Sequence, residues 1–160
     1  MAPVMMNKVN FLTYPVDFNK TFRGRPILGP NKTFRGFFFG TLFSVIIINM
    51  QFLLYKTTGF DFTIYKFEDI NFELLGFLMG FGVMLGDSIK SFIKRQLDIP
   101  PGKSFIPWDQ IDCALGGLSL GSIAWHFPIE YGIATLLLTF ILHIMVRYTI
   151  YYLGFSDSKW

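Results

Sequence analysis

The chain has 160 residues, 52% of them hydrophobic and only 16% charged, with a formal net charge of +3 and a mean hydropathy of +0.44. A soluble domain carries about 25% charged residues, so this composition excludes an ordinary water-soluble domain, and the length sets a single domain, residues 1–160, as the expectation. Cys113 is the only cysteine, which excludes a disulfide framework and a zinc cluster.

The first element is a basic loop over residues 7–36. Lys8, Lys20, Arg23, Arg25, Lys32 and Arg35 stand there against Asp17 alone. Within it Lys20-Thr21-Phe22-Arg23-Gly24 recurs as Lys32-Thr33-Phe34-Arg35-Gly36, separated by a stretch holding Pro26, Gly29 and Pro30. Proline and glycine at that density predict turns. Each copy supplies an ammonium, a hydroxyl, a guanidinium and a glycine, a set that can envelop a phosphate chain. The plainer reading is a basic loop that sets topology. A P-loop is excluded, because the GxxxxGK[ST] spacing never occurs.

Residues 37–55 form an uncharged apolar run and predict the first membrane span. The following loop is acidic in balance, with Lys56 and Lys66 against Asp61, Glu68, Asp69 and Glu73. Residues 71–93 predict a second span. A helix starting near Phe72 carries Asp87 about 22 Å along its axis, still within the membrane. At 100° per residue Asp87, Lys90, Ser91, Lys94, Arg95 and Asp98 share one face, with Ile89, Phe92 and Ile93 opposite. An acid, a hydroxyl and several cations on one stripe could form a wall for metal and phosphate. The alternative is an interfacial helix end with Asp87 paired to Lys90 or Ser91.

A second basic loop, 94–108, leads into a span over 109–127. Asp109 and Asp112 stand at i and i+3, so their carboxylates lie on one face and can share a cation, with Gly116 continuing that face. Mg²⁺ takes one or two protein carboxylates with waters and phosphate oxygens. Helix capping explains Asp109 equally well and Asp112 less well. After Pro128, residues 129–153 predict the last span. His126 and His143 lack ligand spacing and read as packing or interfacial residues, while Gly76/Gly80, Gly82/Gly86 and Gly117/Gly121 fit close helix packing. Lys and Arg alternate by loop, which puts both ends and both basic loops in the cytoplasm of a multi-pass cell-membrane protein. The basic balance therefore requires no nucleic-acid partner. The expected fold is an all-α membrane bundle of four transmembrane helices.

The run Ser91-Phe92-Ile93-Lys94-Arg95, then Pro107, then Asp109-Gln110-Ile111-Asp112 resembles the signature of membrane CTP:phosphatidate cytidylyltransferases, S-x-x-K-R followed by D-R-x-D. The short intervening loop, Gln110 in place of Arg, and the Asp17…Lys20-Thr21…Gly29…Lys32-Thr33-Phe34-Arg35-Gly36 segment are similar to the CDP-archaeol synthase branch. The resemblance covers roughly residues 2–154 and its motifs fall in order. That family has five spans, the first preceding a segment like Ala2-Pro3-Val4, against four expected here.

The resemblance implies a Mg²⁺-dependent enzyme that joins CTP to a lipid glycerol phosphate, 2,3-di-O-geranylgeranylglycerol 1-phosphate, forming CDP-archaeol and pyrophosphate. It further implies Asp87, Asp109 and Asp112 as metal ligands, with Lys94 completing the catalytic set. Lys20, Thr21, Arg23, Lys32, Thr33, Arg35 and Arg95 would hold the triphosphate, and Ser91 would orient a phosphate or a metal-bound water. No nucleophilic Ser, Cys or His is required, because the lipid phosphate is itself the nucleophile. The alternatives are the same transfer onto acyl lipids, or a small transporter with Asp87 as its ion site. The outer halves of the spans are apolar, which disfavours the transporter.

Overall fold

The computed structural model describes residues 12–59, 63–101 and 103–153. The segment Ala2-Pro3-Val4 and residues 7–11 of the basic loop lie outside them. In chain order come a two-residue-per-strand hairpin, β1 (Thr21–Phe22) and β2 (Arg25–Pro26), then α1 (Phe34–Thr58), α2 (Phe72–Gln96), α3 (Trp108–Gly121) and α4 (Ile129–Tyr152). Each helix start has a reason in the sequence. The Thr33 hydroxyl accepts from the Gly36 N–H (3.2 Å) and opens α1. The Asn71 side chain does the same for α2 through the Leu74 N–H (3.0 Å). Pro107 and Pro128 stand immediately before α3 and α4, where a missing N–H costs nothing. Gly59, with φ of 67°, closes α1 in the left-handed conformation.

Among the described residues the fold is therefore all-helical apart from the hairpin, as the sequence predicts, and three of the described helices are long and apolar enough to cross a membrane: α1, α2 and α4. The third predicted span differs. Residues 109–127 were expected to cross as one helix, but α3 has 14 residues, about 21 Å at 1.5 Å per residue against roughly 30 Å of hydrocarbon. Its small-residue composition explains the early stop. Past Gly121 the chain continues as hydrogen-bonded turns, with the Ala124 and Trp125 N–H groups both donating to the Gly121 carbonyl (3.0 and 3.1 Å).

α2 is the hub, packed against α1 on one side and α3 on the other, with α4 resting on α3. The α2–α3 crossing is backbone against backbone. A Cβ at Gly82 would overlap the Gly116 carbonyl, one at Gly86 would overlap the Asp112 carbonyl, and one at Gly116 would overlap that of Gly82. Only glycine permits this approach. It brings Asp87 and Lys90 of α2 to the level of Asp109 and Asp112 of α3.

The hydrophobic core sits at the opposite end, where Ile48, Phe67 and Leu75 are buried among Phe52, Tyr55, Tyr65, Phe72 and Trp125. Elsewhere the apolar surface faces outward. Ile46, Ile47, Met50, Leu53 and Leu54 of α1 and Leu137, Leu138, Ile141, Leu142 and Met145 of α4 are exposed, and α4 has no buried residue. Helices that expose their aliphatic side chains in this way are solvated by lipid.

Candidate active site

The starts of α1 and α3 and the ends of α2 and α4 lie at the same end of the bundle, as antiparallel neighbours require, and the charged residues gather there. Asp17 organises the loop that covers this end. Its carboxylate accepts from the backbone N–H groups of Asn19 (3.0 Å), Leu28 (2.9 Å) and Gly29 (3.0 Å). Burial pushes the Asp17 carboxyl up, but these N–H groups outweigh burial and hold it below its ordinary value. The Val16 N–H donates to the Lys32 carbonyl (2.8 Å) and the Phe34 N–H to that of Tyr14 (3.1 Å). The hairpin is docked on the end of α2 by the Phe22–Phe92 ring contact and by Arg25, which donates to the Gln96 carbonyl and pairs with Asp98.

At the centre is Lys90. Its Nζ lies 3.1 Å from Asp87 Oδ1, 3.2 Å from Asp109 Oδ1 and 2.8 Å from Asp112 Oδ2. The last contact is the shortest of the three. Lys32 from the basic loop also pairs with Asp87. Lys94 donates to both Asp109 oxygens (3.2 and 3.1 Å) and to the Lys103 carbonyl. Asp109 in addition accepts from the Phe105 N–H (2.6 Å) and so ties down the loop ahead of α3. Lys94 and Asp112 are each 7% exposed, and charges buried so deeply need partners. Three acids and three lysines provide them.

The expected site residues therefore divide. Asp87, Asp109, Asp112, Lys94 and Lys32 converge. Ser91 is buried beside them, but its hydroxyl donates to the Asp87 carbonyl of its own helix (2.8 Å). Arg95 lines the adjoining cavity. Thr33 is the cap of α1, and Arg35 is half-buried in its first turn, with its N–H donating to the Leu12 carbonyl (2.8 Å). Lys20, Thr21 and Arg23 are exposed on the hairpin, with Arg23 stacked over Phe22 at 5.4 Å, and they line none of the cavities around Lys90. Asp98, expected on the same face, lies past the end of α2 with an exposed Arg25 partner. The two copies of the repeat thus have different places, one outside the cluster and one supplying Lys32 to it.

Sequence reasoning gave Lys90 a place on the stripe but no role, and passed over His143 and Arg147, which line a cavity beside Lys90. Helical spacing carries the missed signal: Thr135, Thr139, His143 and Arg147 recur every fourth residue on an otherwise apolar span.

Three cavities meet at Lys90. A groove of about 470 Å³ runs between α2 and α3, lined by Leu85, Ile89, Ile93, Trp108 and Leu115, and reaches Lys90 and Asp112 at one end. A polar cavity of about 130 Å³ lies under the basic loop, between Gly29, Asn31, Lys32, Ser91, Lys94 and Arg95. A second polar cavity, of about 230 Å³, opens toward α4. The arrangement can hold an amphipathic molecule with its apolar part between helices and its anionic part among lysines.

Among the described residues no three His, Cys, Asp or Glu side chains are close enough to hold a metal ion as they stand. The donor set nevertheless fits one. Three hard carboxylates approach a common point, the Lys90 ammonium, at 2.8–3.2 Å. A magnesium ion needs about 2.1 Å. It would require Lys90 to withdraw and each carboxylate to close by about 1 Å.

Comparison with known proteins gives the family. The CarS-like family model, described as CDP-archaeol synthase, matches residues 5–160. The CDP-archaeol synthase of Pyrobaculum islandicum is 33% identical over 99% of this chain and 89% of its own length. That of Archaeoglobus fulgidus is 36% identical over 91% of this chain and 84% of its own. A solved structure of an intramembrane enzyme for archaeal membrane lipid biosynthesis shares the fold, with a TM-score of 0.64 at 22% identity, covering 92% of this chain and 89% of that one. The chain is a membrane protein that belongs to the CDP-archaeol synthase family.

Proposed function

We propose that this chain transfers the cytidylyl group of CTP to a glycerol phosphate carrying isoprenoid ether chains, 2,3-di-O-geranylgeranylglycerol 1-phosphate, forming CDP-archaeol and pyrophosphate at the cytoplasmic face of the cell membrane. The observation that carries it is the meeting, at Lys90, of an apolar groove open along the helices and of polar cavities lined by lysine and arginine. The groove suits the lipid chains of a substrate whose phosphate then lies among the cations. The relatives' name, CDP-archaeol synthase, supports CTP as the nucleotide partner, and the alternation of Lys and Arg by loop supports the cytoplasmic face.

The reaction asks little covalent chemistry of the protein. An oxygen of the lipid phosphate attacks the α-phosphorus, the bond from that phosphorus to the bridging oxygen breaks, and the electron pair leaves on pyrophosphate. The attacking oxygen is already anionic, so no side chain removes a proton. Lys32, Lys94 and Arg95, around the cavity under the loop, would hold the β- and γ-phosphates and stabilise the charge that grows on the leaving group. Asp87, Asp109 and Asp112 would hold Mg²⁺, which supplies positive charge to the phosphates when bound. The Asp17-centred loop keeps Lys32 over α2, and the Gly82/Gly116 contact fixes the α2 lysines against the α3 carboxylates.

The deciding experiment incubates purified protein with labelled CTP and Mg²⁺, offering the isoprenoid diether phosphate and a diacyl phosphatidate in separate reactions. Labelled CDP-lipid from the diether, with release of pyrophosphate, is expected. Exclusive use of the diacyl lipid would overturn the substrate assignment, and no nucleotide transfer to either lipid would overturn the function.

A further inference from the structure

The first copy of the repeated pentapeptide, Lys20-Thr21-Phe22-Arg23-Gly24, is exposed along its whole length and lines none of the cavities around Lys90. We infer that the hairpin carrying it is a membrane-surface contact, in which the rings of Phe18 and Phe22 lie in the headgroup layer and Lys20 and Arg23 bind the phosphates of anionic lipids. This rests on the membrane location of the chain and not on the reaction proposed for it.

The level of the hairpin follows from the helices it touches. α1 and α2 have 25 residues each. That is about 37 Å at 1.5 Å per residue, so an upright helix overhangs roughly 30 Å of hydrocarbon by about 4 Å at either end. Phe34 opens α1, and Phe92 stands about 6 Å before the end of α2. Both therefore mark the boundary between hydrocarbon and headgroups. The Phe18 ring packs on Phe34 at 5.7 Å and on Tyr14 at 5.8 Å, and the Phe22 ring packs on Phe92 at 6.0 Å. Away from the hairpin the same stripes run on into the lipid-facing surface. Phe38 and Leu42 succeed Phe34 one and two turns along α1, Ile89 precedes Phe92 by one turn of α2, and all three are exposed. The hairpin thus prolongs the lipid-facing stripes of two spans.

The outer face of the hairpin fits that level. Tyr14, Phe18 and Phe22 are 57%, 56% and 46% exposed, and rings exposed at a membrane boundary are stable in the headgroup layer. Lys20 and Arg23 stand among them, and among the described residues neither has an acidic partner. Arg25, two residues on, is instead turned inward to Asp98. The turn itself does not ask for these side chains. Its central positions, Arg23 and Gly24, have φ of 52° and 78°, and Phe18 has φ of 53°, a conformation suited to glycine and asparagine and costly for arginine or phenylalanine. Residues held there at a conformational cost are kept for what their side chains reach. An anionic bilayer complements both parts of the face, offering phosphate oxygens to the cations and the headgroup boundary to the rings. Lipid contact also seats the loop behind the hairpin. The Val16 N–H donates to the Lys32 carbonyl and Asp17 gathers the Leu28 and Gly29 N–H groups, so a docked hairpin keeps Lys32 over the end of α2.

The experiment reads depth in the bilayer without nucleotide. With Cys113 replaced by alanine, nitroxide labels are attached singly to Phe18→Cys, Phe22→Cys and, as the aqueous reference, Lys103→Cys. The protein is reconstituted in vesicles of phosphatidylcholine alone or mixed with phosphatidylglycerol. Collisions with oxygen, which dissolves in the bilayer, are compared with those of a neutral nickel chelate, which stays in water. In the mixed vesicles the labels at 18 and 22 should favour oxygen and the label at 103 the chelate. A basic residue at an anionic surface contributes about a fivefold factor, so Lys20→Gln/Arg23→Gln should lower the ratio of docked to undocked hairpin about thirtyfold. Phosphatidylcholine alone should shift both labels the same way. Lys20→Arg/Arg23→Lys keeps both charges and should dock as wild type. Should one labelled variant fail to fold, the other carries the comparison. Labels at 18 and 22 as open to the chelate as that at 103, or docking indifferent to lipid charge and to the Gln substitutions, overturns the contact. Labels shielded only as the protein-to-lipid ratio rises assign the face to a second copy of the chain and overturn it equally.

Discussion

Replacing Lys90 with methionine is the most informative single perturbation. Methionine keeps much of the length and removes the charge. The Lys90 side chain is 15% exposed, and the side chains of its partners Asp87, Asp109 and Asp112 are 24%, 16% and 6% exposed. Asp87 and Asp109 would retain Lys32 and Lys94, so the loss falls chiefly on Asp112. Removing one partner of a buried pair costs about 3–5 kcal/mol. The partial exposure of Asp87 and Asp109 puts the expectation at the low end, about 3 kcal/mol. In chelator, Lys90→Met should therefore unfold much earlier than wild type, followed by the fluorescence of Trp108 and Trp125 in mixed micelles. The double variant Lys90→Met/Asp112→Asn should recover more than about 1 kcal/mol of the loss, because it no longer buries an unpaired charge.

The same experiment tests the metal assignment. If the three carboxylates that surround Lys90 are the ligands, Mg²⁺ takes the place of the missing ammonium. At a hundredfold excess over its dissociation constant it should restore about 2.7 kcal/mol by mass action. It should restore little to the double variant, which has lost a ligand. Equal stability of Lys90→Met and wild type in chelator would refute the charge-balance argument. A loss that Mg²⁺ leaves untouched would refute the ligand set.

Lys32→Ala should raise the KM for CTP about ten- to hundredfold, whereas Arg23→Ala should change it less than about twofold, since Lys32 lines the cavity under the loop and Arg23 does not; equal effects in steady-state kinetics would contradict the asymmetric use of the repeat. Gly116→Ala puts a methyl group into the Gly82 carbonyl, where backbone cannot yield, so a stability loss of about 1–3 kcal/mol and a drop in kcat are expected, and an unchanged unfolding curve would count against the crossing. Asp17 has a folded pKa below its ordinary value of 3.8, so its stabilisation is fully present above about pH 4 and fades as pH falls through the folded value. The stability gap between wild type and Asp17→Asn should accordingly be constant from pH 5 to 7 and close below about pH 4, and a gap that widens in acid would reverse the sign. With Cys113 removed, single cysteines at positions 25 and 103 should resist an impermeant thiol reagent in intact cells, and labelling of both from outside would invert the topology.

Much of the fold was legible because lipid imposes a coarse rule. A run such as 37–55 has too few polar groups to be anything but a span, and the pairs Gly82/Gly86 and Gly117/Gly121 announce close packing. The exception is α3. Its small residues Gly116, Gly117 and Gly121 serve the crossing with α2 but weaken the helix itself, so it ends at Gly121 rather than near 127. Hydropathy counts apolar residues and is blind to that competition. The loop 12–33 was legible as turns, but not the part played by Asp17, whose three backbone partners are fixed only when the chain doubles back.

For the site, periodicity reached as far as one helix could take it. Asp87, Lys90 and Lys94 share a face of α2, and Asp109 and Asp112 share a face of α3, by spacing alone. That the two faces meet, and that they meet at an ammonium rather than at an open point, depends on the glycine crossing and on the register of one helix against the other. The repeat shows the opposite limit. Identical pentapeptides suggest identical tasks, yet Thr21 lies in a strand and Thr33 caps a helix, so the same side chains point to different surroundings. Metal-ligand spacing says nothing of His143, and Arg147 reads as a charge near the end of the last span. Their four-residue interval on a lipid-facing helix is the stronger signal, since in a membrane the question for an ionisable side chain is which face it occupies, and both occupy the face turned to Lys103 and Lys94.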